Sequence, residues 1–175
     1  DRFLDGASLI NLIETCRPTV AAAVPTIWND VQHCLEKDPA HDISSLRLVA
    51  CGGSAVPLSL MKTFQERHGV YIQQLWGMTE TSPMATTAKP LPNVSEEQHW
   101  ATRATQGRAM CGVEIRVVDD AGAPLPHDGE AVGEIEVRGP WITGSYYLGY
   151  DAGKFDSGWL RTGDVGRIDD CGFVT

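Results

Sequence analysis

Apolar positions along this chain follow two rhythms, one after the other. Leu9, Ile10, Leu12 and Ile13 recur at helical spacing, with Ser8 as the expected cap and Pro18 as the stop. Residues 19–24 (TVAAAV) read as a short buried strand. Pro25 opens a second helix, with Ile27, Trp28, Val31, Cys34 and Leu35 on one face, and Asp38-Pro39 breaks it. Residues 46–51 (LRLVAC) form the next strand, followed by the loop Gly52-Gly53-Ser54-Ala55-Val56. Pro57 opens a third helix with Leu58, Met61 and Phe64 inward, ended by Gly69. Residues 70–75 (VYIQQL) make a third strand. Alternating strands and helices imply right-handed crossovers and a largely parallel sheet. Ligands of such sheets gather in loops beyond the carboxyl ends of strands. The loops at 52–56 and 76–83 are therefore the first places to look for chemistry.

Residues 89–100 are rich in Pro, Asn and Glu and read as a surface connection. Beyond them the period shortens to two. Val113, Ile115 and Val117 alternate with Glu114, Arg116 and Val118, and Ile135 and Val137 alternate with Glu134, Glu136 and Arg138. This predicts antiparallel strands with one wet face. The expected fold is α/β: a parallel-sheet subdomain over residues 1–95, then a small, mainly antiparallel β subdomain, a distorted barrel, over residues 96–175. Residues 171–175 read as the start of a strand, whose unpaired edge marks the chain as an internal piece of a longer protein.

Composition narrows the function classes. The 175 residues are 42% hydrophobic and 21% charged, with a formal net charge of −9. No basic stripe marks a nucleic-acid binder. No apolar run approaches the roughly 20 residues that span a bilayer, so stable membrane insertion is not expected. No signal-peptide pattern opens the chain, although it starts at Asp1 and a leader could lie upstream. Five cysteines, an odd number with no CxxC pair, argue against a disulfide framework or zinc site and for a reducing, cytoplasmic compartment. Each cysteine reads as a small buried apolar residue.

Four segments hold the candidate chemistry. Trp76-Gly77-Met78-Thr79-Glu80-Thr81 follows a strand and combines an aromatic face for a purine, a glycine that permits close backbone approach, a hydroxyl for a phosphate oxygen, and a hard carboxylate suited to Mg²⁺. The same residues also suit an ordinary polar loop. Gly52-Gly53-Ser54-Ala55 leads into a helix N-terminus, where free N–H groups favour anions, but such turns are common in α/β proteins and a plain tight turn is the favoured reading of these residues alone. In Trp159-Leu160-Arg161-Thr162-Gly163-Asp164, the aspartate suits a ribose diol or simply a turn, and Arg161 suits a phosphate or balances Asp164. Gly144 with Tyr146, Tyr147 and Tyr150 reads as aromatic packing between subdomains. Asp169-Asp170 reads as a solvated turn rather than a metal site.

In this order, GGSAVP, LWGMTETSP, GEIEVRGPWITGSYY and GWLRTGDVGRIDDCGFV resemble the motifs of the adenylate-forming superfamily of acyl-CoA synthetases, luciferases and adenylation domains. The wording is most similar to medium-chain fatty acyl-CoA synthetases, including the methylthiopropionate-CoA ligase type. The resemblance implies that Trp76 stacks on adenine and that Thr79 bonds the α-phosphate. It implies that Glu80 holds Mg²⁺ and Asp164 grips the ribose hydroxyls. Gly53, Ser54 and Ala55, with Gly77, would line the nucleotide and acyl pocket, and Met78 and Thr81 would lie near the acyl side. It further implies ATP, CoA and a carboxylic acid as substrates, with Thr79 and Glu80 serving the chemistry, and it leaves a homodimer open. The family's upstream phosphate loop and its carboxyl-terminal domain with a catalytic lysine are absent from these residues, so the isolated chain is expected to be inactive. Two alternatives stay open: an adenylation enzyme that loads a carrier protein, and a non-catalytic nucleotide- or acyl-binding module.

Overall fold

In the structure, a computed structural model that describes residues 4–175, α1 (Gly6–Cys16) is capped by Asp5. The Asp5 carboxylate accepts the Ser8 amide at 2.8 Å, so the expected cap, Ser8, is the residue being capped. Next come β1 (Val20–Ala23), α2 (Pro25–Lys37), β2 (Leu48–Cys51), α3 (Leu58–His68) and β3 (Tyr71–Trp76). Gly69 closes α3 in the left-handed conformation. The chain forms two compact units, Asp1–Gln74 and Leu75–Thr175.

In the first unit β1 pairs with β2 and β2 with β3, all parallel. The helical stripes deliver Ile10, Ile13, Trp28, Val31, Leu35, Met61 and Phe64 to the buried set, together with Val49 and Ile72 from the strands. Trp28 meets Phe64 edge to face at 5.9 Å. The expectation that β1 is buried fails. Val20 is 51% exposed, because β1 is the last strand of its sheet and alternate side chains turn outward.

The second unit starts with Leu75 and Trp76, which pair antiparallel with β4 (Thr86–Thr87), and β4 pairs with β5 (Arg108–Ala109). These pairings draw residues 75–95 into the second unit, so the compact units part earlier than the change of period near residue 95. Within the presumed connection lies a helix, α4 (Glu96–Arg103), opened by a reciprocal capping box between Ser95 and Gln98. The surface connection expected over residues 89–100 is therefore helical from Glu96 on.

Strands β6 (Glu114–Val118), β7 (Gly133–Arg138), β8 (Phe155–Asp156) and β9 (Trp159–Gly166) form an antiparallel sheet ordered β6-β7-β9-β8. A register shift between Glu134 and Glu136 helps it curl, giving the distorted half-barrel. Val113, Val117, Ile135, Val137, Leu160, Ile168 and Val174 form its core with Ala85. The opposite face is not simply wet. Glu136 is only 3% exposed and pairs with Arg116 at 2.7 Å. The guanidinium groups of Arg116 and Arg138 both lie over the Trp159 ring, at 4.2 and 4.5 Å. Strict alternation also ends at Val118, which is buried beside Val117 because residues 123–125 fold back onto β6. Near the end of the chain, Val174 bridges to Gly107 and Ile168.

The cysteine expectation holds for Cys51 alone. Cys16, Cys111 and Cys171 are exposed, the last two because they sit in turns. Among the described residues no helix is long and apolar enough to cross a membrane.

Candidate functional site

The loop after β3 is closed by its own polar atoms. At Gly77 an added Cβ would stand 2.0 Å from the Pro83 carbonyl oxygen, so only glycine lets the loop double back there. Thr81 is fully buried. Its hydroxyl accepts the Met78 amide at 2.9 Å and lies within hydrogen-bond reach of the Met78 and Pro83 carbonyls. The Thr81 hydroxyl is thus committed to closing the loop. Met78 packs against the core of the second unit. Between them, Thr79 is exposed and Glu80 is half-buried.

At the start of this loop the Trp76 indole N–H donates to Asp164 Oδ2 at 2.8 Å, joining residues 88 positions apart. The Trp76 ring packs against the core of the second unit. Asp164 is held at its backbone too. Its N–H donates to the Thr162 hydroxyl at 3.1 Å, and that buried hydroxyl donates to the Ile135 carbonyl at 2.7 Å. The Gly163 amide reaches Glu134 at 3.3 Å. Arg161 does not balance Asp164. It sits opposite Glu136 in the β7–β9 register and binds Glu134 through Nε at 3.0 Å, so the sheet has already consumed its charge.

Glu80 is gripped twice by the segment that follows β7. The Thr143 amide donates to the Glu80 carbonyl at 2.8 Å, and the Tyr146 hydroxyl donates to Glu80 Oε1. Trp141 adds an indole N–H to the Met84 carbonyl at 3.1 Å. The Tyr146 hydrogen bond holds the Glu80 carboxyl below its ordinary range, helped by the Glu80 amide and by Lys154; the same bond pushes the Tyr146 phenol up. Glu80 Oε2 accepts no hydrogen bond from the described residues. Tyr146 was read as aromatic packing, and no local spacing points to its partner. Its neighbours Tyr147 and Leu148, each 87% exposed, and Tyr150 border with it a shallow cavity of about 440 Å³.

Gly53, Ser54 and Ala55 belong to the first unit, in the exposed loop at the carboxyl end of β2. Gly53 has φ +85°, and a Cβ there would press on Val24 at 3.2 Å. The Val56 amide donates to the buried Gln74 side chain at 2.7 Å, which fixes the loop's exit. The carboxylates of Asp169 and Asp170 cluster with the Cys171 thiol within 4.8 Å, but Asp169 Oδ1 already accepts the Cys171 and Phe173 amides, as a turn requires.

A parallel α/β unit and a curled antiparallel sheet define an adenylate-forming fold. The AMP-binding enzyme family matches residues 1–147, and the chain belongs to that family. It is 42% identical over 176 aligned residues to the 3-methylmercaptopropionyl-CoA ligase of Ruegeria lacuscaerulensis, covering 98% of this chain and 32% of that protein. It is 37% identical to the medium-chain-fatty-acid–CoA ligase of Ectopseudomonas oleovorans, again over 98% of this chain and 32% of that protein. The solved structure of the anthranilate CoA ligase AuaEII with anthranoyl-AMP superposes with a TM-score of 0.81 at 26% identity, over 98% of this chain and 31% of that one. The chain thus spans about a third of the length of these relatives.

Proposed function

We propose that the full-length protein carrying this chain is an AMP-forming carboxylate–CoA ligase. A carboxylate attacks the α-phosphorus of ATP, giving acyl-AMP and pyrophosphate. The thiol of CoA then attacks the activated carbonyl and releases AMP. The relatives are ligases of 3-methylmercaptopropionate and of long- and medium-chain fatty acids, so the proposed substrate is a fatty or related carboxylic acid. The observation that carries this reading is the Trp76–Asp164 hydrogen bond, which joins an aromatic face to a diol-binding carboxylate in one unit.

In this reading Trp76 stacks on adenine and Asp164 takes the ribose hydroxyls. Thr79, exposed on its turn, donates to the α-phosphate. Gly53, Ser54 and Ala55 are the first unit's contribution to ligand binding, and Gly77 shapes the loop after β3 in the second. Glu80 suits Mg²⁺, because Oε2 is a hard, acceptor-only oxygen with no protein donor among the described residues. Mg²⁺ there would supply charge neutralisation at phosphorus. No protein nucleophile is needed, since both displacements occur between substrates and the protein aligns them. A place in fatty-acid metabolism and a cytoplasmic location belong to the same proposal, with both units as parts of one larger adenylation domain.

The test is carboxylate-dependent exchange of pyrophosphate into ATP by the full-length protein, across acids of rising chain length. Exchange is expected with wild type, and Glu80→Ala is expected to reduce it on the order of 100-fold. Unchanged exchange in Glu80→Ala would remove the role given to Glu80.

A further inference from the structure

We infer that Trp76 is a positioning residue for Asp164, so that selection for the ribose diol depends on the indole N–H as well as on the carboxylate. The inference rests on the nucleotide reading above. An exposed aspartate ordinarily samples several rotamers, and ordering it on binding opposes affinity. Asp164 is exposed yet held at two points. Its backbone hangs from Thr162, and through Thr162 from the Ile135 carbonyl in β7. Its Oδ2 accepts the Trp76 N–H at 2.8 Å. The anchor is itself firm, because the ring packs against the core of the second unit.

The chemistry of the two groups makes this arrangement productive. The indole N–H is a donor only, so it does not compete for the protons of a diol. It fills one acceptor position of Oδ2 and leaves Oδ1, with the other position of Oδ2, for two hydroxyl donors. Phenylalanine at 76 would retain an aromatic face but would release the carboxylate. The ring therefore serves the base while its nitrogen serves the sugar, and residue 76 couples the two recognitions.

The experiment compares binding of AMP and 2′,3′-dideoxy-AMP to the full-length protein by calorimetry. The variants are Trp76→3-benzothienylalanine, Trp76→Phe and Asp164→Asn. The first replaces N–H by sulfur and keeps the ring's size, so its melting temperature is expected to match wild type. Wild type is expected to prefer AMP, and Asp164→Asn to lose that preference. The benzothienyl and Phe variants are expected to lower the preference on the order of tenfold, mainly through weaker AMP binding. A preference kept at the wild-type level in both variants overturns the positioning role while leaving the site itself standing. An equal loss for both nucleotides also overturns it, since that points to stacking or folding. A wild type without any preference for AMP, or an Asp164→Asn that keeps it, overturns the underlying nucleotide reading.

Discussion

Tyr146 donates its hydroxyl to the carboxylate of Glu80, 66 positions earlier in the chain. Together with the Thr143 amide on the Glu80 carbonyl, it makes the segment after β7 a clamp on the loop after β3. Tyr146 also rests edgewise on Phe155 at 5.4 Å, so the clamp is braced from behind. Among the described residues no other side chain hydrogen-bonds the Glu80 carboxylate.

Tyr146→Phe in the full-length protein is therefore expected to slow adenylation by about 10–100-fold, the usual cost of losing a group that orients a functional carboxylate. The acid's KM should change little, and the effect should appear in kcat and in the Mg²⁺ dependence. Glu80 has a lowered carboxyl pKa and Tyr146 a raised phenol pKa. The bond is thus fully present between the two ordinary ranges. It is lost as pH falls through the lowered Glu80 value or rises through the raised Tyr146 value. Steady-state kinetics of both proteins at neutral pH check the main effect.

Gly77→Ala is expected to cost about 2–3 kcal/mol of stability and most of the adenylation rate. The new methyl group would overlap the Pro83 carbonyl, which is backbone and has no rotamer with which to yield. Opening the loop would displace Thr79 and Glu80 together. Urea denaturation and pyrophosphate exchange on one preparation measure both losses.

Glu136→Ala is expected to destabilise by about 3 kcal/mol, because it leaves the Arg116 guanidinium without its buried partner. Replacing the pair together, Arg116→Met with Glu136→Leu, should recover much of that loss, since an apolar pair avoids desolvating two charges. Arg116 also covers Trp159, so methionine is chosen to keep contact with the ring. A double-mutant cycle by chemical denaturation reads the coupling.

Acid should reveal the Asp42 site. Ser44 and then Arg17 hold the Asp42 carboxyl down at about 2, against an ordinary 3.8. A depressed carboxyl stabilises the fold above its unfolded pKa and stops doing so as pH falls through its folded one. Asp42→Asn should therefore be less stable than wild type above about pH 4, with the difference closing towards pH 2. Denaturation midpoints taken at intervals between those values follow it.

What could be read from the chain alone was local. The 3.6 and 2.0 periods located α1 to α3, β1 to β3, β6 and β7, and Gly69 and Pro25 marked element ends, because these signals depend on neighbours within one turn or one pleat, whereas the short strands β4, β5 and β8 and the irregular β9 carry no such period. Asp5 and Ser95 show the limit of such reading, since each caps its helix through a side-chain hydrogen bond that the hydrophobic period does not report. The two motif loops were also legible, for strand ends in α/β folds are where ligands bind.

Tertiary structure decided the pairings. Whether Arg161 meets Asp164 or Glu134 depends on the register of β9 against β7, which no local pattern encodes. Glu136 is buried between Arg116 of β6 and Arg161 of β9, with Trp159 of β9 against the Arg116 guanidinium. Trp76 finds Asp164, and Glu80 finds Tyr146, only when segments remote in sequence are closed upon one another. Sequence determined which groups were on offer and on which elements; long-range closure determined their partners, because a hydrogen bond needs ångström placement that periodicity does not supply.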